Sequence, residues 1–274
     1  MPYELTLGSL FSGIGLLDLG LERAGMKTIW QCEFDKHASK LLDKRFGVPN
    51  YNDIMKIDWS EVERPDILAG GFPCQPFSSA GLKKGESDER YLWPEFARAV
   101  RSLRPRIVIV ENVAALLRKS EWGTVLGDLA ETGYDAKWAC IRANDVGAPH
   151  RRERVFIAAY SDSKKCSLWK RQERHSEPGD QASAYSDKAG QSGDCDQFGI
   201  YEPSIRRWEQ LTRPVPEPTD DRGRLSVRFV EWMMGAPEGW TDGMSRTQAI
   251  KGLGNGVVVH VAEVVGKWVL QDAI

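Results

Sequence analysis

A thiol between two prolines is the first group in this sequence that chemistry would use. In Gly70-Gly71-Phe72-Pro73-Cys74-Gln75-Pro76-Phe77-Ser78 the cysteine follows a short apolar run directly, and the glycines and prolines fix an unusual backbone path around its sulfur. A cysteine kept for packing sits inside an apolar strand or helix, whereas one at a strand exit can act as a nucleophile. The second group is Glu111, in Ile109-Val110-Glu111-Asn112-Val113, again at the end of an apolar run. Its carboxyl would lie at the carboxyl edge of a sheet, where ligands collect, or it is an acid favoured at a helix start by the peptide dipoles. The third is Ala148-Pro149-His150-Arg151-Arg152-Glu153-Arg154. Alternate strand residues share a face, so Arg152 and Arg154 can point together at a phosphate or a pyrimidine carbonyl oxygen; a solvated basic turn is the commoner fate of such a run.

A further candidate is the glycine turn in Phe11-Ser12-Gly13-Ile14-Gly15. Glycines let backbone amides approach a ligand at a helix N-terminus, although a plain tight turn has the same composition. Glu33 follows about 20 residues on, at the tip of the next strand, where an acid can hold ribose hydroxyls, and Phe34 is placed to stack on a base. Together they suggest a cofactor containing adenosine. The same two features alone would fit a nicotinamide-dependent oxidoreductase, but that reading leaves the Pro73-Cys74-Gln75 loop and the C-terminal third without a purpose. His37, His150, His175 and His260 show no ligand spacing, and none of the five cysteines, Cys32, Cys74, Cys140, Cys166 and Cys195, forms a C-x-x-C pair. No metal site is expected, and a reducing, cytoplasmic setting fits best.

The elements that must position these groups alternate short apolar runs with amphipathic stretches, the pattern of an α/β sheet. Strands are expected at Leu5 to Phe11, Met26 to Gln31, Asp66 to Ala69, Arg106 to Val110 and Val155 to Tyr160. Helices are expected at Leu16 to Ala24, at Ala38 to Phe46, from Pro94 with Phe96, Val100 and Leu103 on one face, and after Ser120 with Trp122, Val125, Leu126 and Leu129. A last helix carries Val257, Val261, Val265 and Trp268. From residue 161 the chain turns rich in Ser, Asp, Gly, Gln and Lys, and Pro214, Pro216 and Pro218 read as an extended linker. With 274 residues, the chain reads as one large domain of residues 1–160 completed by 226–274, with a smaller unit at 161–225. A formal net charge of −2 neither demands nor excludes a polyanion, since a local basic cleft can bind phosphates on a neutral protein. No apolar run is read as approaching the roughly 20 residues of a membrane span.

In this order the pieces resemble the DNA cytosine-C5 methyltransferase family, over nearly the whole chain outside 161 to about 200. Residues 229–240, with Trp232 and Trp240, look especially like compact bacterial and phage-borne members. The resemblance implies a Rossmann-like S-adenosylmethionine-dependent methyltransferase fold, with a mixed, mostly parallel sheet and a small target-recognition domain. It implies that Cys74 is the nucleophile, that Glu111 acts at ring nitrogen 3 of a cytosine, and that Arg152 and Arg154 are the paired arginines, Arg154 also orienting Glu111. S-adenosyl-L-methionine would be held by Phe11, Gly13, Gly15, Glu33 and Phe34, by Asp53 and Ile54 at the adenine, and by Leu92, Asn255 and Val257. Double-stranded DNA would be met by Gln75, Ser78, Lys83 and Lys84 on a closing loop, and by Arg206 and Arg207 in the recognition unit. The loop reading competes with that of a mobile surface loop. A monomer in the cytoplasm of a bacterium or phage-infected cell is implied, with any partner nuclease unassigned. Three positions depart from the family pattern: His150 replaces the usual glutamine, Val259 a proline, and Ala236 a larger apolar residue. Two alternatives are methylation of a structured RNA and a catalytically silent DNA-binding or regulatory relative. The separate recognition unit favours DNA, and the presence of Cys74 and Glu111 weighs against silence.

Overall fold

The computed structural model describes residues 4–73, 91–161 and 198–273. Among these, the strands β1 (Leu5–Leu10), β2 (Met26–Cys32), β3 (Ile67–Gly70), β4 (Ile107–Val113), β5 (Asp135–Arg142) and β6 (Glu153–Tyr160) form one sheet in the order β2-β1-β3-β4-β6-β5. The first four run parallel, while β6 is antiparallel to both β4 and β5. Strands covered on both faces read as mostly apolar runs, and alternation decides which residue faces which layer. Ile67, Ala69, Ile107 and Ile109 enter one core; Leu68, Val108 and Val110 enter the other.

The first core is closed by α1 (Leu16–Arg23) and by α8 (Val259–Ala273), which contributes Val261, Ala262, Val265 and Val269. These two helices touch through small residues: a β-carbon on Gly20 would lie 2.3 Å from that of Ala262, and one on Gly266 2.5 Å from that of Ala24. The second core is closed by α3 (Trp93–Leu103) and α4 (Ser120–Glu131), through Phe96, Val100, Leu103, Val125 and Leu129. Pro94 opens α3, where a missing amide hydrogen costs nothing. In α2 (Lys36–Phe46) the Asp35 side chain caps the His37 and Ala38 amides, and Gly47 ends the helix in the left-handed region.

Several expectations need correction. β1 stops at Leu10, because Phe11 takes φ 53° and leaves the extended region. β4 runs on to Val113, so Glu111 and Asn112 are strand residues rather than the start of a helix. β5 has no counterpart among the expected strands; it is a half-buried edge strand in which Ala136, Lys137, Ala139 and Ile141 are partly covered and the other side chains exposed. The C-terminal region is α6 (Val227–Met233), α7 (Arg246–Asn255) and α8, so Val257 precedes the last helix. By length and composition Arg246–Asp272 does reach what a membrane span needs. It is nevertheless two helices parted at Gly256, Val257 and Val258, with half of its apolar window inside the core. Finally, α5 (Glu202–Leu211) is a helix without a counterpart among the expected ones, and it buries Ile205 and Trp208 in the first core with Trp232 and Val261.

Candidate catalytic and cofactor site

Glu111 lies near the end of β4, buried, with its Oε1 2.9 Å from Nε of Arg154. The antiparallel register sets this meeting, since Glu111 pairs with Phe156 and Val113 with Arg154. Burial pushes the Glu111 carboxyl up, and the charges of Arg154 and Arg152 only partly offset that. A carboxyl so placed takes up a proton more readily than a solvated one, and in its neutral form it can donate a hydrogen bond.

The backbone leading to Cys74 presses against this carboxyl. A β-carbon on Gly71 would stand 2.4 Å from Glu111 Oε2, so only glycine permits the approach. Asn112 Nδ2 donates to the Phe72 carbonyl at 3.1 Å, while its Oδ1 accepts from the Val113 amide at 2.8 Å. The Glu111-Asn112 pair therefore fastens the chain immediately before Pro73. Cys74, Gln75, Ser78, Lys83 and Lys84 lie outside the described residues.

Arg152 and Arg154 do different work. Arg152 Nη2 donates to the Gly254 and Gly256 carbonyls at 2.7 and 2.8 Å, tying the turn between α7 and α8 to the start of β6. Burial, then the like charge of Arg154, pushes Arg152 down to about 10, so it stays cationic at neutral pH. His150, where glutamine was expected, meets the Met233 carbonyl through Nε2 at 3.0 Å and accepts from the Arg152 amide through Nδ1 at 3.4 Å. Both contacts are satisfied by the tautomer carrying its proton on Nε2. The Val259 amide donates to the Met234 carbonyl at 3.0 Å, a bond that a proline there would lack. Ala236 is fully buried.

At the other end of the sheet edge, the turn after β1 takes positive φ at Phe11, Gly13 and Gly15. The Gly13 amide donates to Glu33 Oε2 and the Asp35 amide to Oε1, both at 2.7 Å. The Glu33 amide in turn donates to Asn50 Oδ1 at 2.9 Å, a partner with no sequence signal of its own. Burial raises the Glu33 carboxyl, opposed by these two amides. Beside Gly13 the space is open, since a β-carbon there would meet nothing within 4 Å. Phe34 is 74% exposed at the strand tip. Asp53 caps the Met55 amide at 3.1 Å, and Ile54 is buried behind it. Leu92 stands at the N-cap of α3, Asn255 ends α7 and is exposed, and Val257 is buried. An open space flanked by an oriented carboxylate and a free aromatic face suits an adenosine, the carboxylate for ribose hydroxyls and the ring for the base.

Beneath the turn a second carboxylate is wholly enclosed. Asp18 accepts from Ser9 Oγ at 2.7 Å and from Gln31 Nε2 at 2.6 Å, and Ser9 Oγ is 2.8 Å from Ser12 Oγ. Burial raises Asp18 to about 6. Sequence reading missed this network, although serine at residue 9 of a buried strand and aspartate in an apolar helix were visible signals. Arg206 is held by Glu202 and Glu209 at 2.6 and 2.7 Å, while Arg207 is exposed.

The family model described as C-5 cytosine-specific DNA methylase matches residues 5–192. Type II methyltransferase M.NgoBI of Neisseria gonorrhoeae is 37% identical over 158 residues, 56% of this chain and 50% of that protein. M1.ScrFI of Lactococcus lactis subsp. cremoris is 39% identical over 156 residues, 55% of this chain and 40% of that protein. The chain thus spans about half the length of these relatives, or less. Methyltransferase EhMeth of Entamoeba histolytica has a solved structure with a TM-score of 0.67 at 18% identity, covering 99% of both chains, a likeness of fold.

Proposed function

The chain belongs to the C-5 cytosine-specific DNA methylase family, and from that premise we propose that it methylates carbon 5 of a cytosine turned out of double-stranded DNA. One observation carries the reading: a buried carboxyl, gripped by Arg154, abuts the backbone that delivers Cys74. Carbon 5 is a poor nucleophile until a thiolate adds to carbon 6 of the same ring. Cys74 makes that bond, and Glu111 gives a proton or hydrogen bond to nitrogen 3, which its burial favours. Arg154 keeps Glu111 aimed and meets the ring carbonyl oxygen; Arg152 adds positive charge beside it. With an unperturbed pKa only about 3% of a cysteine is thiolate at pH 7, so local cations or proton loss during addition must help. Loss of the carbon 5 proton and of the sulfur releases the product.

S-adenosyl-L-methionine, when bound, supplies the methyl group as an electrophile. Glu33 would hold its ribose, Phe34, Asp53 and Ile54 its adenine, and Phe11, Gly13, Gly15, Leu92, Asn255 and Val257 would complete the wall. Since a paired base is inaccessible, the nucleotide must leave the stack, with Gln75, Ser78, Lys83 and Lys84 closing over it. Residues 161–225, with Arg206 and Arg207, would read the sequence, while 1–160 and 226–274 do the chemistry. The protein would act as a monomer in the cytoplasm.

Methylation sequencing of DNA from cells expressing the protein should show 5-methylcytosine in one sequence context. A duplex containing 5-fluorocytosine should form a covalent complex through Cys74. Unmodified DNA in every context would defeat the proposal, and full activity in Cys74→Ser would defeat the nucleophile.

A further inference from the structure

Trp240 lies far along the chain from the glycine turn, yet its indole reaches it. Nε1 donates to the Ile14 carbonyl at 2.8 Å, and both residues are buried. Ile14 sits between Gly13, whose amide binds Glu33, and Gly15, which opens α1. The indole is held from several sides. Phe46 meets it edge-on with ring centres 6.0 Å apart, and the Arg45 guanidinium lies 5.0 Å from its ring centre. Arg45 Nε also donates to the Trp240 carbonyl at 2.9 Å, and Nη2 donates to that of Gly239.

The loop bearing Trp240 is wound on a carboxylate that the proposed chemistry does not use. Glu231, on α6, has no exposed surface. It accepts from the Gly239 amide at 3.0 Å, the Thr241 amide at 2.7 Å and Thr241 Oγ1 at 2.6 Å, and pairs with Arg228 at 3.1 Å. Amides on either side of Trp240 are therefore fixed, which leaves its side chain little freedom. On the other flank of the turn, a β-carbon on Gly252 would lie 2.6 Å from Ile14 Cγ2, and one on Gly15 2.5 Å from Phe46. The turn cannot shift without losing either the indole bond or this packing.

We infer that Trp240 is a positioning residue for the Ser12–Gly15 turn: its indole hydrogen bond to the Ile14 carbonyl holds the Gly13 amide and Glu33 in the arrangement that binds the nucleoside end of the methyl donor. The inference rests on the proposed cofactor reading and deepens it. Trp240 touches no reacting atom, so its loss acts on binding rather than on the chemical step. A buried carbonyl deprived of its donor relaxes by moving, and here it carries the turn with it.

Trp240→Phe keeps an aromatic ring against Phe46 and Arg45 but removes the donor. Hydrogen exchange of a peptide covering residues 12–19, in ligand-free protein, should quicken about ten-fold, with the rest of the sheet unchanged. Calorimetry should show S-adenosylhomocysteine binding about ten-fold more weakly, and KM for S-adenosylmethionine should rise alike while kcat at saturation stays within about two-fold. A folded variant with unchanged exchange and affinity overturns the inference, as does a fall in kcat alone. Should Trp240→Phe not fold, Arg45→Lys carries the test, with a smaller shift in the same direction; unchanged values there, or failure of both variants to fold, overturn it equally. Wild-type protein that binds no S-adenosylhomocysteine would defeat the cofactor reading, and the exchange measurement would still report on the hold itself.

Discussion

Glu111 and Asp18 are two buried carboxylates near the same edge of the sheet, and the fold treats them in opposite ways. Glu111 faces a guanidinium 2.9 Å away, with a second arginine lending charge from further off. Asp18 has the neutral donors Ser9 and Gln31, and burial carries it to about 6. Under the proposed chemistry the first corner stabilises a change of charge; the second braces a loop and need never ionise to do so. Burial alone does not mark a reacting group. What separates the two is a cation within reach and a close backbone approach on the other side.

The largest expected effect tests the first corner. Glu111→Gln keeps the shape but loses the titrating proton, and should lower kcat by about 10²–10⁴-fold with S-adenosylhomocysteine affinity unchanged. Single-turnover methylation beside calorimetry would separate the two; a variant losing only affinity would remove Glu111 from the chemistry. Gly71→Ala comes next. Its methyl would stand 2.4 Å from Glu111 Oε2, so the carboxyl or the strand must move, and a displacement near 1 Å should cost about 10²-fold in kcat. Unchanged S-adenosylhomocysteine affinity beside the fall in single-turnover rate would confine the damage to this corner.

Changes on the cofactor side should be milder. Glu33→Gln places an amide group against the Gly13 or Asp35 amide, and should weaken S-adenosylhomocysteine binding about ten-fold with little change in kcat. The smallest effect on turnover belongs to Asp18→Asn, which concerns stability. Because the folded pKa lies above the unfolded value of 3.8, Asp18 contributes most below pH 4, and that contribution is lost as pH rises through about 6. Asparagine should flatten the slope across this window and stabilise the protein at pH 7 by up to about 3 kcal/mol. Gln31 Oε1, which lacks a partner, can turn to accept from the new amide. Urea melts from pH 4 to 8 would show it, and an undiminished slope would assign the titration elsewhere.

What sequence could reveal followed from how each residue is recognised. Strands β3, β4 and β6 are legible because both their faces are covered, which favours consecutive apolar residues. β1 and β2 are legible because their covered positions still carry Leu5, Leu7, Leu10, Met26 and Trp30. β5 escaped because only one face is covered. Lys137, Ala139 and Ile141 are partly buried there, and a lysine among them breaks the apolar signal, while the apolar Trp138 and Cys140 lie on the exposed face. In α5, Pro203 and the spacing of Ile205 and Trp208 were available, but the polar stretch before it hid them. Glu111 and Arg154 could be singled out, and their meeting is observed, because their side chains are the signal. Arg152 was not legible as a tie, and neither was Trp240, because their acceptors are carbonyls of Gly254, Gly256 and Ile14, and every residue has a carbonyl. The left-handed Phe11 was hidden too, since phenylalanine carries no preference that would announce it.

The seam between α1 and α8 has a consequence for how the molecule is made. Gly20 and Gly266 let two helices from opposite ends of the numbering lie almost in backbone contact. On the ribosome, the first helix must wait, with an apolar flank uncovered, until the residues around Gly266 have been translated. A polypeptide cut short before that point would carry the turn ahead of α1 on a helix that lacks its partner.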